Sequence, residues 1–175
     1  MEIKSIMSPL SKTAIDELNA GDMVKMTGII YTARDAAHKR MIQLLNQNIP
    51  LPFDIAGQTI YYAGPCPPKP GQVIGSAGPT TSSRVDVYTP PLLARGLNAM
   101  IGKGPRSRAV IDAMVEYKAV YLAATGGAGA LIASCIKKAD IVAFEDLGPE
   151  AIYRLVVEDL PLIVAIDCRG SSLYS

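Results

Sequence analysis

Residues 98–167 alternate short apolar runs with amphipathic stretches of about ten residues, and few folds accept such a rhythm. NAMIGKG (98–104) is apolar until glycine and lysine end it, which reads as a strand. SRAVIDAMVEYKA (107–119) reads as a helix, VYLAATGG as a strand and AGALIASCIKKA (128–139) as a helix. DIVAFEDLG follows as a strand and PEAIYRLVVEDL as a helix, with Pro149 suited to its first turn. PLIVAID (161–167) closes the series as a strand. Strands separated by helices of this length predict a mostly parallel sheet with crossover helices. The strands are nearly all apolar, as expected when both faces of a sheet are covered.

The upstream half is less regular. Residues 1–20 read as a connecting N-terminal arm with apolar Ile3, Ile6, Leu10, Ile15 and Leu18. VKMTGIIYT (24–32) is rich in β-branched residues and predicts a strand. Thr32 stands where it can cap a helix over ARDAAHKRMIQLLNQN, whose Ala37, Met41, Leu44 and Leu45 share one face. Asn48-Ile49-Pro50 stops that helix. Residues 50–80 hold seven of the thirteen prolines, around the short apolar runs TIYYA (59–63) and QVIGSA (72–77). This pattern predicts a small, irregular β-rich layer with GPCPPKPG as a stiff connection. With 49% hydrophobic and 19% charged residues, the 175-residue chain has material for a packed core. The expectation is one α/β domain over residues 1–175, a mostly parallel sheet with crossover helices plus the smaller β-rich layer.

Composition also excludes several functions. Seventeen Lys and Arg against sixteen Asp and Glu leave a net charge of +1, which argues against nucleic acid or an anionic membrane as partner. No apolar stretch approaches the roughly 20 residues that span a bilayer. The start, MEIKSIMSPLSK, lacks an apolar signal core, so a cytoplasmic location is expected. Cys66, Cys135 and Cys168 are widely spaced, form no CxxC pair and read as reduced thiols. One histidine, His38, leaves almost no material for a His-rich metal site or a Ser-His-Asp triad.

Ligands of parallel sheets bind beyond the carboxyl ends of the strands, and four segments fall there. In YTARDAAH, Arg34 can fork a carboxylate or phosphate, or can pair with Asp35 on the surface. In GSAGPTTSSRVD (75–86), Gly78-Pro79 makes a turn, hydroxyls follow, and Arg84 lies one turn beyond Thr80. That arrangement suits an anion, or an elaborate helix cap. In IGKGPRS (101–107), Lys103 stands between glycines that permit close backbone approach to a ligand, or it is a solvated turn residue. ATGGAGAL has Gly127 and Gly129 of a dinucleotide fingerprint but Ile132 where the third glycine should be, and close packing of the helix on the sheet explains these glycines without any ligand. Glu145-Asp146 reads as turn solvation.

In sequence order, GDMVKMTGIIYTARDAAHKRM, GPTTSSRVDVYTPPLL, IGKGPRS, TGGAGAL and VEDLPLIVAIDCRGSSLY resemble the β subunit, or carboxy-terminal domain, of iron–sulfur class I fumarate hydratases and L-tartrate dehydratases. The resemblance runs from about residue 20 to the end. It implies a swivelling β/β/α domain that closes over a separate α subunit or domain. That partner would hold a four-iron four-sulfur (4Fe-4S) cluster through three cysteines, and the cysteines of this chain would not be ligands. The resemblance also implies that Arg34, Arg84 and Lys103 bind a small dicarboxylate and that Thr80 takes part in proton transfer, with Thr81 able to exchange roles with it. The implied assembly is a hetero-oligomer, with a homo-oligomer as the alternative for the chain in isolation. The implied reaction is hydration of fumarate to (S)-malate. The alternatives are dehydration of L-tartrate, or a non-catalytic binding domain of the same fold. A nucleotide-binding domain using TGGAGAL is a weaker reading.

Overall fold

The computed structural model of the chain describes residues 2–124 and 128–174. Strands β2 (Met23–Thr32), β3 (Thr59–Tyr61), β4 (Ala99–Gly102) and β5 (Val120–Ala123) lie side by side and parallel. A long return strand, β7 (Ile152–Ile166), pairs antiparallel with β5 on one edge and with β2 on the other. The sheet therefore closes into a barrel in the order β2-β3-β4-β5-β7 and back to β2. Two strands extend it. β1 (Ile3–Ser8) runs parallel along residues 23–28 of β2, and β6 (Ile136–Ala143) runs antiparallel to the first part of β7.

Alternation along the strands divides the core in two. Tyr61, Ala99, Ile101, Val120, Leu122, Leu155, Val157 and Val164 belong to one buried cluster, the barrel interior. Their neighbours Ile60, Met100, Tyr121 and Ala165 belong to a second, packed outward against the helices. That outer layer consists of α2 (Asp35–Asn46), α3 (Thr89–Ala94) and α4 (Arg108–Tyr117), which contribute Ala37, Met41, Leu92, Leu93, Val110 and Met114. Burial of each large aliphatic side chain contributes about 1.5–3 kcal/mol, so two contiguous clusters account for a stable chain of this size.

Several sequence expectations need correction. The barrel closure replaces a mostly parallel sheet: four strand pairings are parallel, but the three made by β7 are antiparallel. Residues 149–160 are not a helix. After a 3-10 helix over Glu145–Glu150, which contains Pro149, the chain is β7. Ile152, Leu155, Val156 and Leu160 sit at spacings of three and four that mimic a helical face. Ladder partners on both edges decide for the strand, and Leu160, Leu162 and Val164 then alternate inward. In 128–139 only α5 (Gly129–Ser134) is helical, and β6 begins at Ile136. QVIGSA (72–77) forms no strand. The proline-rich stretch contributes only β3, and its loop is tied off by Cys66 N–H to Ser76 O and Gly75 N–H to Cys66 O. Residues 1–20, expected as an arm, hold β1 and α1 (Lys12–Asp16), with Ile15 and Leu18 fully buried in the inner cluster. Thr32 does not cap α2. The N-cap is Arg34, while the buried Thr32 hydroxyl accepts the Tyr153 N–H at 3.1 Å. Among the described residues no helix is long and apolar enough to cross a membrane.

Candidate functional site

The carboxyl ends of β2, β3 and β4 form one rim. β2 ends at Thr32, and Ala33 N–H donates to Tyr61 O (3.0 Å) before Arg34 opens α2. β3 ends at Tyr61, and Tyr62 N–H donates to Ile101 O (2.8 Å). The chain then leaves through the proline-rich loop and returns at Thr80. There the backbone N–H and the side-chain hydroxyl both donate to Tyr62 O, at 2.8 and 3.0 Å. Thr81 bridges Lys103 in parallel register, and Ser82 N–H donates to Lys103 O at 2.9 Å. Three segments far apart in sequence thus place Arg34, Thr80, Arg84 and Lys103 around the ends of adjacent strands.

The side chains differ in environment. Arg34 is half-buried, and its Nε is enclosed without a hydrogen-bond partner among the described residues. Its Cδ and Nη1 lie against Gly64, where a Cβ would come within 2.8 and 3.0 Å of them, so the missing side chain is what admits the guanidinium. Arg84 is exposed and donates from Nε to Asp35 Oδ2 at 3.0 Å. Asp35 therefore pairs with Arg84, not with its neighbour Arg34. Lys103 is exposed and forms no ion pair among the described residues. Glu150 is committed to the N-terminus of α2, where Oε1 accepts Ala36 N–H at 3.2 Å. Three cations, Arg34, Arg84 and Lys103, against two committed acids, Asp35 and Glu150, leave the rim with an excess of positive charge, which suits a small dianion.

The other strand-end segments have local explanations. Asp146 holds Arg40 through two hydrogen bonds, at 2.8 and 2.9 Å. In ATGGAGAL, residues 125–127 lie outside the described residues. Gly129 packs so closely on the preceding loop that a Cβ would come within 2.2 Å of Ser76 Oγ.

Two buried residues beneath the rim carry no signal in the sequence. Arg106 has a fully buried side chain, paired with Asp86 at 2.7 Å and stacked between Tyr62 and Tyr121. Desolvation opposes its charge, but Tyr62 and Asp86 outweigh that penalty and raise its pKa. His38 is wholly buried and shares a hydrogen bond between Nδ1 and Arg34 O at 2.8 Å. Burial is the main cause that lowers its pKa to about 4, so the ring is neutral. No spacing rule connects Asp86 with Arg106, which lie twenty residues and a strand apart.

An iron–sulfur cluster needs converging thiolates, and the three thiols of this chain lie on separate elements. Cys66 is exposed in the proline-rich loop, Cys135 follows α5, and Cys168 is buried beside Ile15 and Asp16. Among the described residues no three His, Cys, Asp or Glu side chains gather as metal ligands.

The model of the family described as "Fumarase C-terminus" matches residues 2–175. The chain is 43% identical over 171 residues to a putative L(+)-tartrate dehydratase subunit beta of Methanocaldococcus jannaschii, covering 94% of this chain and 88% of that protein. It is 37% identical to a putative class I fumarate hydratase of Geobacillus stearothermophilus, and 36% identical to the anaerobic class I fumarate hydratase of Escherichia coli. Those alignments cover 97% and 98% of this chain, but only 33% and 31% of the relatives' own lengths.

Proposed function

Since the chain belongs to the fumarase C-terminus family, we propose that it is the β subunit of an iron–sulfur hydro-lyase that interconverts fumarate and (S)-malate. The proposed partner is an α subunit that holds a 4Fe-4S cluster, which would supply Lewis acidity toward the substrate. The observation that carries this reading is the positive rim, above all the enclosed Arg34 Nε with no hydrogen-bond partner among the described residues.

The rim residues divide the work by chemistry. Arg34 and Arg84 can each meet a carboxylate with a planar fork, and Lys103 adds a compact charge. Loss of a proton from carbon beside a carboxylate builds negative charge on that carboxylate, and these fixed cations stabilise it more than the ground state. Thr80 lies at the same rim with its hydroxyl oriented by Tyr62 O. An unshifted hydroxyl is a poor base, so its role requires a charged group of the α subunit or the proton path to that group.

Co-expression with an α subunit bearing the cluster cysteines, then assay on fumarate, (S)-malate and L-tartrate, tests this. Turnover of malate and fumarate is expected. A second reading, L-tartrate dehydratase, is favoured by the Methanocaldococcus jannaschii relative, whose length this chain nearly spans. Turnover of L-tartrate without malate would select it. Inactivity of a well-formed complex on all three would leave a non-catalytic binding domain.

A further inference from the structure

We infer that Arg106 is a positioning residue: one buried guanidinium holds together the separate segments that carry Thr80, Arg84 and Lys103. The inference rests on the proposed site. Its own evidence is the hydrogen-bond network beneath that site.

Arg106 reaches into every layer under the rim. Nε donates to Asp86 Oδ1 at 2.7 Å, and the other oxygen of Asp86 accepts Ser107 N–H, also at 2.7 Å. Nη2 donates to Tyr62 OH (3.2 Å) and to Thr89 Oγ1 (3.1 Å), while Nη1 faces Met100 Sδ at 3.5 Å. The guanidinium carbon sits 5.1 Å from the Tyr62 ring centre and 4.8 Å from that of Tyr121. Tyr121 extends the reach, because its hydroxyl donates to Gly104 O (2.8 Å) and lies 2.6 Å from Ser82 Oγ.

These contacts coincide with the anchors of the site. Tyr62, stacked on Arg106, presents the carbonyl that holds Thr80. Asp86 and Ser82 bracket Arg84 within the 3-10 helix Ser82–Tyr88. Gly104 follows Lys103, whose own carbonyl accepts Ser82 N–H. His38, edge-on to the Tyr62 ring at 5.4 Å, reaches Arg34 O. A fold-supporting ion pair needs only its partner and satisfied donors. This one is distributed over the loops of the rim, and its own side chain is fully buried beneath them.

The test separates support from positioning in the α–β complex. Arg106→Met breaks the network and leaves the largely enclosed Asp86 without its cation, held only by Ser107 N–H among the described residues. Arg106→Met with Asp86→Leu removes both charges, a change that often restores stability to a buried pair. The expected result for the double variant is a thermal midpoint near wild type, with kcat/KM down by ~10-fold or more and most of the loss in KM. A double variant that regains its midpoint and keeps kcat/KM within ~3-fold of wild type overturns the inference. Should neither variant fold, Tyr121→Phe decides. Positioning expects faster amide exchange at Ser82 and a raised KM, whereas no change in either overturns it. Arg84→Ala and Lys103→Ala serve as the control for the site. If they leave KM and kcat unchanged, the site assignment fails, independently of Arg106.

Discussion

Thr80 gives both of its hydrogens to one acceptor: its backbone N–H and its hydroxyl donate to the carbonyl of Tyr62, at 2.8 and 3.0 Å. The hydroxyl hydrogen is thereby held against the end of β3, and the oxygen lone pairs are left for whatever enters the rim. The side chain is fixed by the strand it caps, so the direction of its oxygen is set before a ligand arrives.

Thr80→Val keeps the shape and removes that oxygen. We expect kcat of the assembled enzyme to fall ~100-fold or more with little change in KM, and Thr80→Ser to restore most of it. Thr81→Val, at an exposed position, should leave kcat unchanged. The reverse pattern would mean that the neighbouring hydroxyl is the active one.

Arg34, Arg84 and Lys103 should each contribute to dicarboxylate binding. Arg84→Lys keeps the charge but loses the planar fork, and should cost about 2 kcal/mol in kcat/KM, the scale of a charge-assisted contact. Binding through the exposed Arg84 and Lys103 should also weaken as salt is added. Variants that all remain within ~3-fold of wild type, under ~1 kcal/mol, would remove these cations from the site.

His38 predicts a pH dependence of stability. Its folded pKa lies at about 4, below the ordinary 6.5, so between these values the unfolded chain binds the extra proton. Stability is therefore complete above about pH 6.5 and falls as pH drops toward 4, by about 3 kcal/mol from this residue. Urea unfolding at pH 7 and pH 5 should show a smaller acid loss for His38→Asn than for wild type. Equal slopes would sink this account.

A Cβ at Gly102 would come within 2.0 Å of Ser82 Oγ and 2.7 Å of Tyr62 Cδ2. Gly102→Ala should displace the Ser82 hydroxyl from Tyr121 and cost about 1–3 kcal/mol, the scale of a buried polar group left unpaired. Adding Ser82→Ala, which removes the clashing oxygen, should recover part of that loss in urea titrations.

Anaerobic iron–sulfur reconstitution of this chain alone should leave it colourless and without hydratase activity, because its thiols lie on three separate elements. A brown protein with stoichiometric iron would relocate the cluster.

Local pattern was enough for the strands and helices whose environment is one-sided. β4, β5 and α4 follow from apolar runs and a three-and-four spacing. The motifs that place Arg34 and Lys103 just beyond β2 and β4 were likewise legible, since loop residues after apolar strands have few other places to be, whereas Thr80 and Arg84 reach the same rim without the strand expected at 72–77, through the bonds of Thr80 to Tyr62 O. β7 was not legible. Its leading residues fit a helical face as well as a strand, and only the edges of β2, β5 and β6 make the extended form the one with its backbone groups paired. That same return strand turned a mostly parallel sheet into a barrel. The pairing of Asp35 with Arg84 and the burial of Arg106 against Asp86 were equally tertiary decisions. Charges far apart in the chain acquire partners only when folding brings their strands to one rim, and no spacing along a chain encodes that distance.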